Sequence, residues 1–283
     1  MDSNFKPEDR YLAELPPRHI DWFTQATILF GGFLQQFGWF FFGFGMIFFW
    51  IFAWNSHAMV SLGTWGKWDE TTGTIFAVEN TNASENETPV YKITLQYQVD
   101  GETHLSDVYK TGGGFSEGQE VPIEYNRNVP SIARMEGTRR GLFSSWVLFV
   151  ALFPIVGLIL VSVSLLGNWN FLKLLKIGEY VRGKRVSKEA TGGSITINNV
   201  TYPIYKYKFE FFHKDKPYYA ICNTHLTQTV EDEEKEIILY DRFHPEKAIV
   251  YDAMPNAPKI LPEGIIDPAY ISKGWVLFLP VVC

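Results

Sequence analysis

The residues of this chain that could do chemistry are few and scattered. Cys222 and His225 have the Cys-x-x-His spacing of half a zinc site. Zinc needs three or four protein ligands, and no second cysteine–histidine cluster lies nearby in the sequence. His213 and His244 could join this pair only through the fold. We therefore predict that Cys222 is a strand residue, that His225 lies at the surface, and that no metal is held here.

Nucleophilic catalysis would need a serine or cysteine with a positioned base. No Gly-x-Ser-x-Gly segment occurs, and Ser144 and Ser145 open an apolar stretch that contains no histidine or lysine partner. The sequence assigns no catalytic, cofactor-binding or metal-binding residue and indicates no cofactor. It favours a protein that is not an enzyme.

Two loops resemble ligand-binding loops only in composition. Gly112–Gly114 lacks the Lys-Ser/Thr pair of a phosphate-binding loop, so we predict a hairpin tip. The run Glu231–Glu236 lacks the spaced carboxylates and the turn glycine of a calcium loop, so we predict a solvated acidic loop.

Two long segments of the chain contain no Asp, Glu, Lys or Arg, and the other parts of the chain are placed relative to them. The first has 45 residues, Trp22–Gly66, and the second has 32 residues, Gly141–Leu172. Because about 20 apolar residues cross a bilayer, each is long enough to do so. The sequence therefore predicts an integral membrane protein, and the lipid bilayer is its first partner.

The first apolar segment is too long for one perpendicular crossing and leaves two arrangements open. One is a single helix near Ala26–Trp54, and the other is a hairpin of two helices that turns near Gln35–Gly38. Phe or Trp fills 11 of the 18 positions from Phe37 to Trp54. This aromatic helix is expected to contact other membrane proteins. Gln35 and Gln36 either bond to a partner helix or mark the turn.

The second apolar segment is predicted to be a helix over Leu142–Gly167, with a kink at Pro154 in mid-span. Six basic residues follow it between Lys173 and Lys188. By the positive-inside rule this flank faces the cytoplasm, which places residues 66–140 outside. The same basic run could also bind anionic lipid headgroups.

The two polar regions resemble each other. Pro89–Tyr97 matches Pro203–Phe211, and both alternate apolar and polar residues as half-buried strands do. Tyr125-Asn126-Arg127 followed by Pro130 matches Tyr240-Asp241-Arg242 followed by Pro245. We predict an internal repeat, with hairpin turns near Val99-Asp100-Gly101 and Lys214-Asp215-Lys216.

This pattern resembles a bacterial membrane family, domain-of-unknown-function family 3592. The resemblance rests on Gly183–Val186, the Pro203–Phe211 strand and the closing Tyr240–Pro245 segment, with residues 66–140 as a diverged copy. It implies a β module anchored in a bacterial inner (plasma) membrane. It transfers no catalytic residue.

The expected fold class is an α+β membrane protein in which transmembrane helices alternate with two small antiparallel β-barrel or sandwich modules. The predicted parts are an N-terminal tail (1–21), a first membrane segment (22–65), β module 1 (66–140, outside), a second membrane helix (141–172), β module 2 (173–259, cytoplasmic) and a C-terminal segment (260–283). The short apolar end Gly274–Cys283 could be an interfacial anchor, a strand, or the start of a third crossing.

Charge and composition narrow the function. The net charge of −6 and the two cysteines exclude a nucleic-acid surface and a disulfide framework. The leading hypothesis is a non-enzymatic membrane-anchored scaffold or interaction protein that presents β modules at the membrane surface. One alternative is an accessory subunit of an envelope transport or secretion complex. Another is a membrane-bound hydrolase with a non-contiguous site, which a buried polar cleft with perturbed carboxylates would favour.

Overall fold

The computed structural model describes residues 10–254, 257–261 and 274–283. In these residues the chain is α+β, with two antiparallel five-stranded sheets. Two helical spans, Phe33–Ala53 and Ser145–Ile177, are long and apolar enough to cross a membrane. Residues 1–9 of the predicted N-terminal tail and residues 262–273 of the predicted C-terminal segment lie outside the described residues.

The chain forms two compact units. We call Phe41–Gly157 the central unit, and we call Met1–Phe40 with Leu158–Cys283 the terminal unit. The boundary between them falls inside both apolar helices. Each unit therefore combines one β-sheet with a portion of each helix.

The first apolar segment is interrupted at Gly31 and Gly32. Helix α1 (Trp22–Phe30) ends there, and α2 (Phe33–Phe48) follows. Gly32 has φ +89°, a left-handed conformation that a helix cannot contain. The predicted turn near Gln35–Gly38 is wrong because those residues lie inside α2. The predicted continuous helix from Ala26 is wrong because of the glycine break.

Helix α2 continues as a π-helix, Phe49–Ala53, and a short helix α3, His57–Ser61, follows. The second apolar segment begins as a 3-10 helix, Ser145–Ala151, and becomes α4, Leu152–Ile177. Pro154 lies in the first turn of α4, directly after the 3-10 helix. In the span Ser145–Ile177 it stands nearer the start than the middle, so the predicted mid-span position is wrong, and the kink stays a prediction.

The sheet of the central unit has the strand order β3-β2-β1-β4-β5. Its strands are β1 (Trp68–Glu85), β2 (Thr88–Val99), β3 (Glu102–Thr111), β4 (Glu120–Asn126) and β5 (Val129–Arg134). Asp100 and Gly101 have positive φ and form the two-residue turn between β2 and β3. The sequence predicted this turn, because Asp-Gly suits the twist of a tight hairpin.

This sheet curls until its two edge strands approach each other. Cα atoms of β3 and β5 come within 8 Å. The gap is bridged by a side chain, since the Ala133 backbone N–H donates to Ser106 Oγ at 3.0 Å. No backbone ladder closes the circle in the described strands. The expected barrel is thus an open, curled sheet. Its core is formed by Ile75, Ile93, Leu95, Tyr97, Val108, Val121, Ile123, Ala133 and Met135.

The sheet of the terminal unit has the order β10-β9-β6-β7-β8. Its strands are β6 (Glu179–Ile197), β7 (Val200–His213), β8 (Lys216–Thr224), β9 (Lys235–Tyr240) and β10 (Ala248–Val250). A helix α5 (Thr227–Val230) precedes β9, and a 3-10 helix (Tyr251–Ala253) follows β10. Lys214 and Asp215 form the predicted turn between β7 and β8.

The two sheets have the same topology. In each, one long strand is central, with the following hairpin on one side and the last two strands on the other. Even the irregularities coincide. The β1–β2 register shifts at Ile75/Ala77 and Asn80/Ser84, and the β6–β7 register shifts at Arg185/Ser187 and Ala190/Ser194.

The short apolar end of the chain is helical, with a 3-10 turn over residues 274–277 that leads into α6 (Phe278–Val282). Of the three alternatives for Gly274–Cys283, the strand is therefore wrong. The segment packs on α2 within the terminal unit. Gln36 Nε2 donates to the Val276 carbonyl at 2.7 Å, and Cys283 Sγ lies 3.4 Å from the Trp39 carbonyl.

Candidate functional site

Strand β9 carries a carboxyl group into the core of the terminal sheet. Along this strand Glu236, Ile238 and Tyr240 alternate with Ile237 and Leu239, and the two sets face opposite sides. Both sides are covered, so all five residues are buried. Glu236 is only 1% exposed, and its Oε1 has no hydrogen-bond partner among the described residues.

The partner of Glu236 is Asp252, in the 3-10 helix that follows β10. This short helix packs on β9, and the charges of the two carboxyl groups act on each other. Burial raises the pKa of Glu236 most strongly, and the negative charges of Asp252, Asp232 and Glu233 raise it further. Burial likewise raises the pKa of Asp252. Both shifts have the same direction, so burial and the neighbouring negative charges favour retention of a proton on the pair.

A cavity of about 660 Å³ reaches the pair from the Asp252 side. Its walls combine charged groups with apolar ones. They include Arg182, Asp232, Glu233, Asp252, Tyr251 and Met254. Since Glu236 is buried behind Asp252, only Asp252 meets the open volume.

The acidic run is a largely exposed loop over residues 231–234, as the sequence predicts, but its last residue, Glu236, is buried. Glu231 accepts from the Tyr207 hydroxyl and pairs with Lys188, both at 2.6 Å. Glu233 pairs with Arg182. Glu236 lies in strand β9 and not in the loop. The run therefore divides into a loop with ion pairs and one buried acid.

Glu236 was missed because its neighbours in sequence are charged. The signal that could have found it is the parallel with the first sheet. Val121 pairs with Gly73 as Glu236 pairs with Gly183. Val121 is a core residue. Glu236 therefore stands where the equivalent strand of the other sheet has a buried valine. Burial of a carboxyl group at such a position carries a desolvation penalty, which distinguishes Glu236 from an ordinary core residue.

A second polar cluster lies at the other end of β9. The Tyr240 hydroxyl donates to Glu179 Oε2 at 2.7 Å, and His213 Nδ1 lies 3.1 Å from the same hydroxyl. Burial and the Glu179 charge raise the pKa of Tyr240 well above its usual range. The cluster joins the ends of β6, β7 and β9, and a phenol held neutral in this way is a hydrogen-bond donor.

The metal candidates do not come together. Cys222 lies in β8, where burial and the nearby Glu236 raise the pKa of its thiol to about 11. His225 packs against Tyr202, His213 bonds to Tyr240, and His244 bonds to Glu246. In the described ranges no group of three His, Cys, Asp or Glu side chains could hold a metal ion.

The structure also shows where the serine pair and the glycine run considered in the sequence analysis lie. The Ser144 backbone N–H donates to Glu85 Oε1 at 3.0 Å, and Ser145 begins the 3-10 helix. Gly112–Gly114 lies in the connection from β3 to β4, two strands that do not pair with each other. The predicted hairpin tip is therefore wrong.

The glutamines and the basic run also have partners within the terminal unit. With its amide turned to suit its neighbours, Gln35 donates to Ser164 Oγ on α4 and accepts from Trp39 Nε1. Gln35 thus bonds to a neighbouring helix, one of the two expected roles. Four basic side chains of the run 173–188 form ion pairs with acidic ones: Lys173 with Asp241, Arg182 with Glu233, and Arg185 and Lys188 with Glu231.

Comparison with known proteins adds no family. No family model, no curated protein and no solved structure matches this chain. The resemblance to domain-of-unknown-function family 3592 therefore stays a prediction from the motifs quoted above.

Proposed function

We propose that this chain is a non-enzymatic integral membrane protein that presents β modules at the membrane surface and associates with other membrane proteins. The observation that carries the proposal is the exposure of the apolar helices. Ile47, Trp50, Ile51 and Trp54 recur at helical spacing, and each is more than half exposed. We call these four residues the Trp50 face. In water such a surface would aggregate, whereas in a bilayer it is solvated.

The second apolar span supports the same proposal. Exposed side chains recur along α4, among them Ile155, Ile159, Val163 and Leu166. A core helix of a water-soluble protein would cover these residues. Trp146 and Trp169, both more than half exposed, lie toward the two ends of the span, where indole rings favour the headgroup region. A bacterial inner membrane is the location that we expect.

We further propose that the two sheets are copies of one helix-plus-β unit. Their shared strand order and matching register shifts support this. The Thr81 hydroxyl donates to the Val90 carbonyl, and Thr191 donates to Ile204 in the same bulge of the other sheet, both at 2.7 Å. The same side-chain bond at the same bulge in both sheets is a further observation that supports a repeat.

Mild-detergent purification with partner identification tests the association. Trp50→Leu with Trp54→Leu removes the rings of the Trp50 face but keeps its hydropathy, so insertion should persist. The matched control is Trp146→Leu with Phe149→Leu, which removes a stacked pair elsewhere in the central unit. Loss of partners in the first variant alone is expected. Equal retention in both would refute association through this face. A partner recovered in fixed stoichiometry would favour the accessory-subunit alternative.

A membrane-bound hydrolase is the second candidate, and the Glu236–Asp252 pair is the observation that favours it. Paired carboxyl groups with separated pKa values are the pattern of acid–base catalysis. Against it, Glu236 is buried, and a catalytic acid must reach its substrate. Peptide and glycoside substrate panels would test it. Turnover that Asp252→Asn abolishes would establish the hydrolase, and no turnover over the pH range of the pair would remove it.

A further inference from the structure

We propose that the Glu236–Asp252 pair is a proton-controlled latch: with one shared proton it holds the 3-10 helix Tyr251–Ala253 on β9, and loss of that proton releases the helix. This inference does not depend on the scaffold proposal. It rests on the burial of Glu236, whose Oε1 has no hydrogen-bond partner among the described residues, on the packing of the short helix against β9, and on the position of Asp252 at the cavity.

The two residues of the latch differ in how the backbone around them is held. Glu236 lies in β9, which is paired on both sides, with β6 and with β10. Asp252 lies in a three-residue helix and also borders the cavity. If both carboxyl groups were ionised, their repulsion would be relieved most easily by movement of Asp252 toward water. The strand would stay, and the short helix would move.

The charged and titratable groups around the pair come from several elements of the terminal unit. Asp232 and Glu233, in the loop before β9, disfavour ionisation of Glu236. Arg182, in β6, favours ionisation of Asp252 but is also paired with Glu233. Cys222, in β8, is buried with a raised pKa and stays a neutral thiol. Lys259 lines the same cavity as Asp252 and is a second cation there. Asp232 and Glu233 oppose ionisation of both carboxyl groups, so these two acids favour retention of the proton.

Release of the short helix would loosen its contacts with α4. The Tyr251 ring, next to Asp252, packs against Phe171 of α4 with ring centroids 5.7 Å apart. Both rings belong to the cluster that joins β9 to α4 and the N-terminal segment. The latch thus links proton loss in the sheet to the packing of the apolar helix in the same unit.

Hydrogen exchange followed by mass spectrometry tests the latch on the full chain in detergent micelles. The readout is the protection of the peptide that covers residues 247–254, normalised to intrinsic exchange at each pH. Loss of one shared proton predicts that protection falls about tenfold or more between about pH 6 and pH 9 in the wild type. Glu236→Gln should remove this dependence, and the exposed Glu234→Gln should keep it.

Two results would overturn the proposal: protection that does not change with pH in the wild type, or a pH dependence that Glu236→Gln retains. If Glu236→Gln fails to fold, Asp252→Asn applies the same test from the mobile side. Glu236→Val is a further variant to compare, because Val121 fills the same position in the other sheet.

Discussion

The Arg18 guanidinium donates to the carbonyl of Gly178, with Nη1 2.9 Å from the oxygen. Gly178 is the single residue between α4 and β6. The same Nη1 also donates to the Leu175 carbonyl in the last turn of α4, and Nη2 donates to the Leu12 carbonyl. A buried cation therefore satisfies carbonyls at a helix C-terminus, where the helix dipole favours positive charge.

Replacing Arg18 by Met should destabilise the terminal unit. It leaves several buried carbonyls without donors, which we expect to cost about 2–4 kcal/mol of opening free energy. Hydrogen exchange of the α4–β6 junction measures this quantity. Arg10→Met is the matched control, because Arg10 is exposed. Equal effects of the two variants would contradict the capping role.

The close contact at Gly183 predicts a size limit in β6. A Cβ at this position would lie 2.1 Å from Ile238 Cδ1 and 3.0 Å from the Glu210 carbonyl. We expect Gly183→Ala to cost about 1–3 kcal/mol through overpacking. Exchange protection in β6 and β9 is the measurement. Gly113→Ala is the control, because a Cβ there would meet no atom within 4 Å.

The close contact at Gly183 can also be tested by shortening the side chain on its other side. Ile238→Val removes the Cδ1 atom that the new methyl group would strike. The double variant should be more stable than the sum of the two single changes predicts. Strict additivity would show that the Glu210 carbonyl, rather than Ile238, sets the limit.

Short sequence patterns predicted the tight turns and the strand alternation, because both depend on residues that are neighbours in the chain. The Asp100-Gly101 turn and the alternation of Pro203–Phe211 follow from backbone conformation and the two-residue period of strands. The apolar spans follow from composition alone. The break at Gly31-Gly32 was not predicted, because glycine is common in membrane helices and only tertiary packing decides where one ends.

The candidate site was not predicted because its partners are brought together by the fold. Glu236 stands in an acidic run, and nothing near it in sequence points to burial or to Asp252. Arg18 is likewise far in sequence from the carbonyls it contacts. The equivalence of Glu236 with the buried Val121 would have indicated that Glu236 is buried. This equivalence can be seen once the strand pairing is known.

The half-buried pair Glu85–Arg139 predicts acid sensitivity of the central unit. Arg139 Nη1 lies 2.9 Å from Glu85 Oε2, and Glu85 also accepts from the Thr111 hydroxyl and the Ser144 N–H. Burial opposes ionisation of Glu85, but these hydrogen bonds and the Arg139 charge outweigh it and lower its pKa below 4.5. A lowered carboxyl pKa contributes stability above the unfolded-state value, and this contribution is lost as the pH falls below it.

Glu85→Gln should therefore reduce the stability of the central unit by about 1–3 kcal/mol at pH 7. It should also flatten the decline in stability below about pH 4.5. Thermal unfolding followed between pH 3 and pH 7 would measure both effects. Glu87→Gln, at an exposed position in the same hairpin, should change neither. A wild-type acid profile retained by Glu85→Gln would contradict this role.

The predicted topology makes the sharpest claim about the membrane. From the basic flank Lys173–Lys188 we predict that residues 173–259 lie in the cytoplasm and residues 66–140 lie outside. In a background with Cys222→Ala and Cys283→Ser, single cysteines at Ser84 and Glu234 offer two exposed probes. A membrane-impermeant thiol reagent applied to intact cells should label the Ser84→Cys protein only.

Permeabilised cells supply the control for this labelling. Both cysteines should then react, because both positions are exposed to solvent in their own units. Labelling of both or of neither in intact cells would contradict a two-sided arrangement. Labelling of Glu234→Cys alone would reverse the orientation, and the ion pairs of the basic run would explain why. Lys188 and Arg182 are already paired with Glu231 and Glu233, so their charge is partly compensated within the module.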